Sequence, residues 1–94
     1  MKAYVGHRMR TVFPITQMEI ETGKSNDTLR RWERNGVIPK ATHRDRQGRR
    51  YYLKEEIEVL AQLIKKHELN KQGRAITAAF KKDVRETWRR YRAI

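Results

Sequence analysis

Ninety-four residues carry 23 Lys and Arg against 11 Asp and Glu, a formal charge of +12. That length fits one small domain with no room for a large substrate cavity, and the charge calls for a polyanionic partner: DNA, RNA or an anionic membrane surface. Cysteine is absent, which excludes disulfides and thiolate metal sites, and no apolar run approaches the roughly 20 residues that cross a bilayer.

The charge is uneven. Residues 1–53 hold 12 basic and 5 acidic side chains, residues 54–69 hold 3 and 4, and residues 70–94 hold 8 and 2. Two basic regions flank a near-neutral one, as expected of a core element between two surfaces that meet a partner. The N-terminal MKAYVGHRMRTVF lacks the uninterrupted apolar core of a signal peptide, and a cytoplasmic protein is expected.

Residues 1–9 show no periodicity and read as a flexible basic arm. Arg10–Phe13 reads as a short strand closed by Pro14. ITQMEIETG reads as a short helix: Thr16 and Glu19 fit a capping box and Gly23 fits a C-terminal stop, with Ile15, Met18 and Ile20 on the buried side. Ser25 precedes the next helical pattern as its N-cap. A catalytic role for it would need a histidine partner, but His7, His43 and His67 are scattered and no GxSxG context exists.

The second helix runs from Asn26 to about Asn35, where Gly36 stops it. At the helical turn angle, Leu29 and Trp32 fall about 60° apart. Asp27, Arg30, Arg31 and Arg34 centre on the other side. Val37 and Ile38 lead into Pro39, and the chain turns extended. KATHRDRQGRRYY then reads as a hairpin: one strand near Thr42–Asp45, a turn at Gln47 and Gly48, a second strand at Arg49–Tyr52.

KEEIEVLAQLIKKHEL is a helix whose apolar stripe is Ile57, Leu60, Ala61, Leu63 and Ile64. Glu55, Glu56 and Glu58 near its start and Lys65 and Lys66 near its end suit the helix dipole. NKQGR breaks the pattern, and a last helix starts near Ala75 or Thr77. Ile76, Phe80, Val84, Trp88 and Tyr91 share one face; Lys82, Arg85, Arg89 and Arg92 lie across from them. That apolar face suits packing on its own domain, a dimer seam or a membrane surface. The area of Trp88 and Tyr91 favours the first two, and Phe80, Val84, Trp88 and Tyr91 are the candidate oligomer seam.

Two helices joined by about four residues containing glycine have helix-turn-helix spacing, and a basic hairpin after them is a wing. The fold class expected is mainly α with a small β-hairpin wing: a winged helix-turn-helix plus a C-terminal amphipathic helix. An α-helix fits the DNA major groove, and its N-terminal residues meet base edges. Asn26, Asp27 and Thr28 are the candidate base readers. Arg30, Arg31 and Arg34 reach phosphates or guanine edges. Lys40, Arg44, Arg46, Arg49 and Arg50 of the wing region hold the backbone or enter the minor groove.

The stretches TG at 22–23, Ser25, TLRRWERNGVIP at 28–39 and RDRQGRRYY at 44–52 resemble the winged-helix domain of MerR-type regulators and the related excisionase group. Thr28, Leu29, Arg30, Trp32, Glu33, Gly36, Val37, Ile38 and Pro39 fit the first family block, and Arg44, Gly48, Arg50 and Tyr52 fit the second. The resemblance covers residues 12–64 and implies DNA binding, with Arg30, Arg44 and Arg50 as contacts. Arg49 departs from the tyrosine usual there. The division implied is an arm at 1–9, a winged-helix domain at 10–69 and a basic amphipathic helix at 70–94.

The functions to weigh are a sequence-specific transcriptional regulator on double-stranded DNA; an architectural factor of phage or mobile-element type, like an excisionase or a terminase small subunit; and an RNA-binding or protein-interaction module. A homodimer or a DNA-templated oligomer is the expected assembly, in a bacterial or phage-infected cell. Neither an enzyme, a metal, a cofactor, a membrane nor a small-molecule effector is expected, since no nucleophile, ligand set or phosphate-binding glycine loop is present.

Overall fold

A computed structural model describes residues 1–71 and 73–93. Its elements are β1 (Lys2–Val5), β2 (Arg8–Pro14), α1 (Ile15–Thr22), α2 (Asn26–Arg34), β3 (His43–Arg44), β4 (Arg50–Leu53), α3 (Lys54–Lys66) and α4 (Ala78–Ala93). The mainly α architecture with a hairpin wing is the one expected.

The expected flexible arm is instead a hairpin. Ala3 and Val5 alternate with exposed Lys2 and Tyr4, and β1 pairs antiparallel with β2 from Lys2↔Thr11 to Val5↔Arg8. Gly6 turns the chain at a φ of 66°, a left-handed value that suits glycine. Ala3, Val5, Val12 and Leu53 form a small apolar cluster, with Tyr51 and Tyr91 packed on it. A strand of four residues is too short to show its period of two against a basic background. β2 also pairs with β4, so the sheet runs β1-β2-β4-β3 and ties the wing to the N-terminal hairpin.

β2 runs straight into α1, whose boundary residue is Pro14 at a φ of −69°. Thr16 therefore lies inside the first turn and makes no capping bond, contrary to the expected capping box. Gly23 does end the helix, at a φ of 73°, and its N–H donates to the Glu19 carbonyl at 2.9 Å. Met18 is fully buried, and Thr22 is buried one turn on, its hydroxyl donating to the Met18 carbonyl at 2.6 Å. Ile20, expected inward, is 75% exposed. Two residues from Met18 is about 200° around the helix, so both cannot face one core.

Ser25 caps α2 as expected: its hydroxyl oxygen accepts the Thr28 N–H at 3.2 Å. Leu29 and Trp32 enter the main core with Met18, Tyr52 and the apolar face of α3. The stripe of α3 is buried at Ile57, Leu60, Leu63 and Ile64. Glu56, one of the acids expected to suit the helix dipole, is fully buried. It accepts the Leu53 N–H at 2.9 Å and the Arg92 Nε–H at 2.6 Å. Burial pushes its carboxyl above the ordinary value, against the pull of Arg92 and the Leu53 amide.

Thr77 caps α4, its hydroxyl oxygen accepting the Phe80 N–H at 3.1 Å. Phe80, Val84 and Trp88, expected as an oligomer seam, are fully buried within the chain itself. Phe80 meets Trp32 edge-on with centroids 5.6 Å apart, and Trp88 meets Tyr52 at 5.8 Å. Tyr91, the fourth seam candidate, is half-buried on the hairpin cluster, and its carbonyl accepts from Arg10 at 2.8 Å. So small a chain needs that aromatic area for its own core. Among the described residues, no helix is long and apolar enough to cross a membrane.

Candidate nucleic-acid interface

The cap at Ser25 starts α2 so that Leu29 and Trp32 point into the core. Arg30, Arg31 and Arg34 are consequently exposed. Among the described residues no carboxylate lies within salt-bridge distance of these three, nor of Lys40 or Arg46. Asn26 and Thr28 are half-buried at the start of the helix and Asp27 is exposed. The Thr28 hydroxyl lies 3.0 Å from that of Ser25.

Glu33 joins α2 to the wing. It is 7% exposed, on the same side of the helix as Leu29 and Trp32. One carboxylate oxygen accepts from Arg44 at 3.1 Å and from Arg50 at 2.9 Å. The other accepts the Ala41 N–H at 3.0 Å and the Tyr52 hydroxyl at 2.9 Å. Four donors from one hairpin thus converge on one helical side chain. Burial alone would raise its pKa, but the bonds from Arg50, Tyr52 and Ala41 outweigh burial and hold the carboxyl below its ordinary value. Burial and the neighbouring carboxylate push the Tyr52 hydroxyl well up, so it stays a donor.

Glu33 fits a family block, but the sequence alone assigns it no role. A signal was there: four residues after Leu29 and one after Trp32, it falls on the apolar side of the wheel. A buried acid on an otherwise basic helix demands partners, and Arg44, Arg50 and Tyr52 are the ones supplied. Arg44 and Arg50 are therefore struts of the wing as well as part of its surface, with side chains 46% and 20% exposed.

Asp45 builds the wing turn. Its Oδ1 accepts the Gln47 and Arg49 amides at 3.0 and 2.9 Å, and its Oδ2 accepts Arg49 Nε–H at 2.7 Å. Gly48 takes the left-handed position at a φ of 79°. The first wing strand is shorter than expected, β3 being only His43–Arg44 because Asp45 enters the turn, and the second is shifted by one residue to Arg50–Leu53. Arg49 is paired yet 66% exposed, and Arg46 stands exposed beside it.

Between helix and wing lies a groove lined by Asp27, Arg30, Arg31, Arg34 and Arg50, with Glu33 at its base. A second groove joins Asn26 and Arg30 to the start of α1, at Ile15 and Thr16, and to the wing tip, at Gln47, Gly48 and Arg49. Arg30 and Arg50 line both, so the helix face and the wing form one continuous basic surface. Lys40 is exposed in the segment joining α2 to the wing, and Arg92 binds its carbonyl at 2.6 Å. Among the described residues no group of acidic or histidine side chains could hold a metal ion.

Glu33→Gln is expected to cost about 1–3 kcal/mol, since it leaves two guanidinium groups short of a charged acceptor. The pH response isolates the same bond network. A depressed carboxyl stabilises the fold above its unfolded pKa, and that stability is lost as pH falls through the folded value. Taking 4.5 as the ordinary value, the loss from Glu33 falls below about that pH. Asp45 and Asp83 are also held low, and Glu56 has the opposite sign. Denaturation at pH 3 and pH 6 for wild type and variant separates them: the acid-induced loss is smaller in Glu33→Gln. Equal losses would show that Glu33 titrates normally.

No curated protein and no solved structure matches the chain. A family model described as MerR HTH family regulatory protein matches residues 13–83, from the end of β2 into α4. With that match over most of its length, the chain belongs to the MerR family of helix-turn-helix regulatory proteins.

Proposed function

We propose that this protein is a sequence-specific binder of double-stranded DNA that acts as a small transcriptional regulator. It lays α2 in the major groove and sets the wing on the backbone or in the adjacent minor groove. The observation that carries this reading is the exposed row of Arg30, Arg31 and Arg34, without a carboxylate partner among the described residues and continuous with the wing through the groove at Arg50. The N-terminal residues of such a helix meet base edges, which gives that task to Asn26, Asp27 and Thr28. Lys40, Arg44, Arg46 and Arg49 supply charge to phosphates, which fixes register without reading sequence.

The roles separate by mutation. Arg31→Ala or Asn26→Ala relaxes sequence preference, costing about 1–3 kcal/mol on a matched site and less on a scrambled one. Arg46→Ala weakens both duplexes alike. Titrating each variant on the two duplexes at one salt concentration is the test, and equal losses for Arg31→Ala on both would refute the division.

One observation favours the architectural reading, in which the same DNA-binding surface serves assembly of a nucleoprotein complex. The aromatic face of α4, the candidate seam of a two-fold dimer, is used up in the chain's own core. A monomer loads head-to-tail on direct repeats, whereas a two-fold dimer needs an inverted repeat. Solution mass with and without DNA distinguishes the two.

A further inference from the structure

The last turn of α4 is tied to β2, to α3 and to the segment that leads into the wing. The Tyr91 carbonyl accepts from Arg10 at 2.8 Å, and a second nitrogen of that guanidinium reaches Glu55 at 3.1 Å. Arg92 lies one residue on. Its guanidinium sits over the Trp88 ring, 5.5 Å from the centroid, and donates Nε–H to the buried Glu56 at 2.6 Å. A terminal nitrogen of the same group donates to the Lys40 carbonyl at 2.6 Å. The planar fork of an arginine serves two acceptors at once in a fixed geometry.

The Lys40 carbonyl belongs to the same peptide unit as the Ala41 N–H, which donates to Glu33 at 3.0 Å. Residues 39–42 lie in neither helix nor strand and carry the chain from α2 toward the wing. One planar peptide in that segment is therefore gripped on both edges, by Arg92 of α4 and by Glu33 of α2. It cannot turn about its flanking bonds without breaking one grip. A chain of bonds thus runs from Glu56 through Arg92 and this peptide to Glu33, and on to Arg44, Arg50 and Tyr52. Neutralising the buried Glu56 accounts for the first of Arg92's two bonds. It does not account for the second, which ends in the basic surface.

We propose that Arg92 is a positioning residue for the nucleic-acid surface: it anchors the entry to the wing, so that Lys40 and the wing cations meet the duplex backbone in register with α2. This rests on the DNA-binding reading of α2 and the wing. Arg92 touches no DNA in this role. Its side chain is 28% exposed, and its donors are engaged by Glu56 and Lys40.

The test separates anchoring from folding. Arg92→Met strands the buried Glu56 without its cation, so a double variant, Glu56→Gln with Arg92→Met, removes that charge as well. Val84→Ala, a core truncation about two turns earlier in α4, is the control for lost stability. All are read below every melting transition. The probes are a duplex selected by wild type from a random-sequence pool and its scrambled counterpart. The double variant binds both duplexes about 5–10-fold more weakly, as for loss of a charge-assisted bond that is partly exposed. The ratio between the two duplexes is kept, because α2 still reads bases. Arg46→Ala costs less than about twofold in that background and more in wild type, since a slack wing no longer sets Arg46 against a phosphate. The Ala41 amide exchanges with solvent about tenfold faster in the double variant than in Val84→Ala. Val84→Ala binds both duplexes within about twofold of wild type.

A double variant that binds like wild type overturns the inference, because Arg92 then only neutralises Glu56. An equal loss in Val84→Ala overturns it too, by tracing the effect to stability. So does a full cost of Arg46→Ala in the double variant, which places the loss outside the wing. Unchanged exchange at Ala41 refutes the anchoring and leaves the DNA-binding reading intact. Wild type that binds neither duplex removes the DNA-binding reading, and this role with it.

Discussion

Trp32→Ala lowers the stability of this domain by about 3–5 kcal/mol, the range for truncating a large buried aromatic. The indole is 6% exposed and meets Phe80 of α4 edge-on, so its loss opens a cavity where two helices join. A domain of this size holds roughly 5–15 kcal/mol in total, so the loss is a large share. At about 4–8 °C per kcal/mol, the melting temperature drops by at least about 12 °C. Ile20→Ala is the control: at 75% exposure it moves stability by less than about 0.5 kcal/mol. A Trp32→Ala protein melting with wild type would show that the tryptophan does not anchor α2, and the arginine row would then have no defined direction.

The helices were legible because their apolar residues recur at helical spacing and their ends carry local chemistry. Ser25, Gly23 and Gly36 punctuate the chain whatever packs against it, and α2, α3 and α4 follow their stripes closely. What the sequence hid depended on partners distant in the chain. β1 becomes a strand because Val12, Leu53 and Tyr91 cover Ala3 and Val5, and nothing within four residues announces that. Thr16 and Glu19 had the spacing of a capping box, but the strand pairing of β2 through Pro14 put Thr16 inside the helix instead. Local propensity lost to tertiary pairing there.

The candidate site divides in the same way. The exposed arginines of α2 follow from one helical wheel. The roles of Arg44 and Arg50 do not, because a guanidinium in a polar hairpin reads as free charge until a buried acid claims it. Glu33 sits eleven residues from Arg44 and seventeen from Arg50. The consequence is mechanical. Two of the wing's cations are held against the helix that carries the arginine row, so helix and wing present one preformed surface. Preformed surfaces bind with less ordering cost than ones assembled on contact.

Affinity for duplex DNA falls about 10³–10⁵-fold between 50 and 200 mM salt, if the basic surface neutralises about six to ten phosphates. Arg30, Arg31, Arg34, Lys40, Arg44, Arg46 and Arg49 supply most of that number, and all seven are exposed. Each phosphate neutralised releases condensed counterions and contributes about −0.9 to the slope of log affinity against log salt. Asp45 and Glu33 temper that number, because they already engage Arg49 and Arg44 and leave those side chains 66% and 46% exposed. The exposed cations of α2, which have no carboxylate partner among the described residues, therefore carry the steepest share. Arg34→Ala should flatten the slope by nearly the full share of one phosphate, while Arg49→Ala, which also releases Asp45, should change it less. Fluorescence titrations of one duplex at several salt concentrations give all the slopes. A response that stays flat across that range would mean the +12 surface does not bind through phosphates. The order of the two variants then reports the wing: a larger change for Arg49→Ala than for Arg34→Ala would place the main backbone contact at its tip rather than on α2.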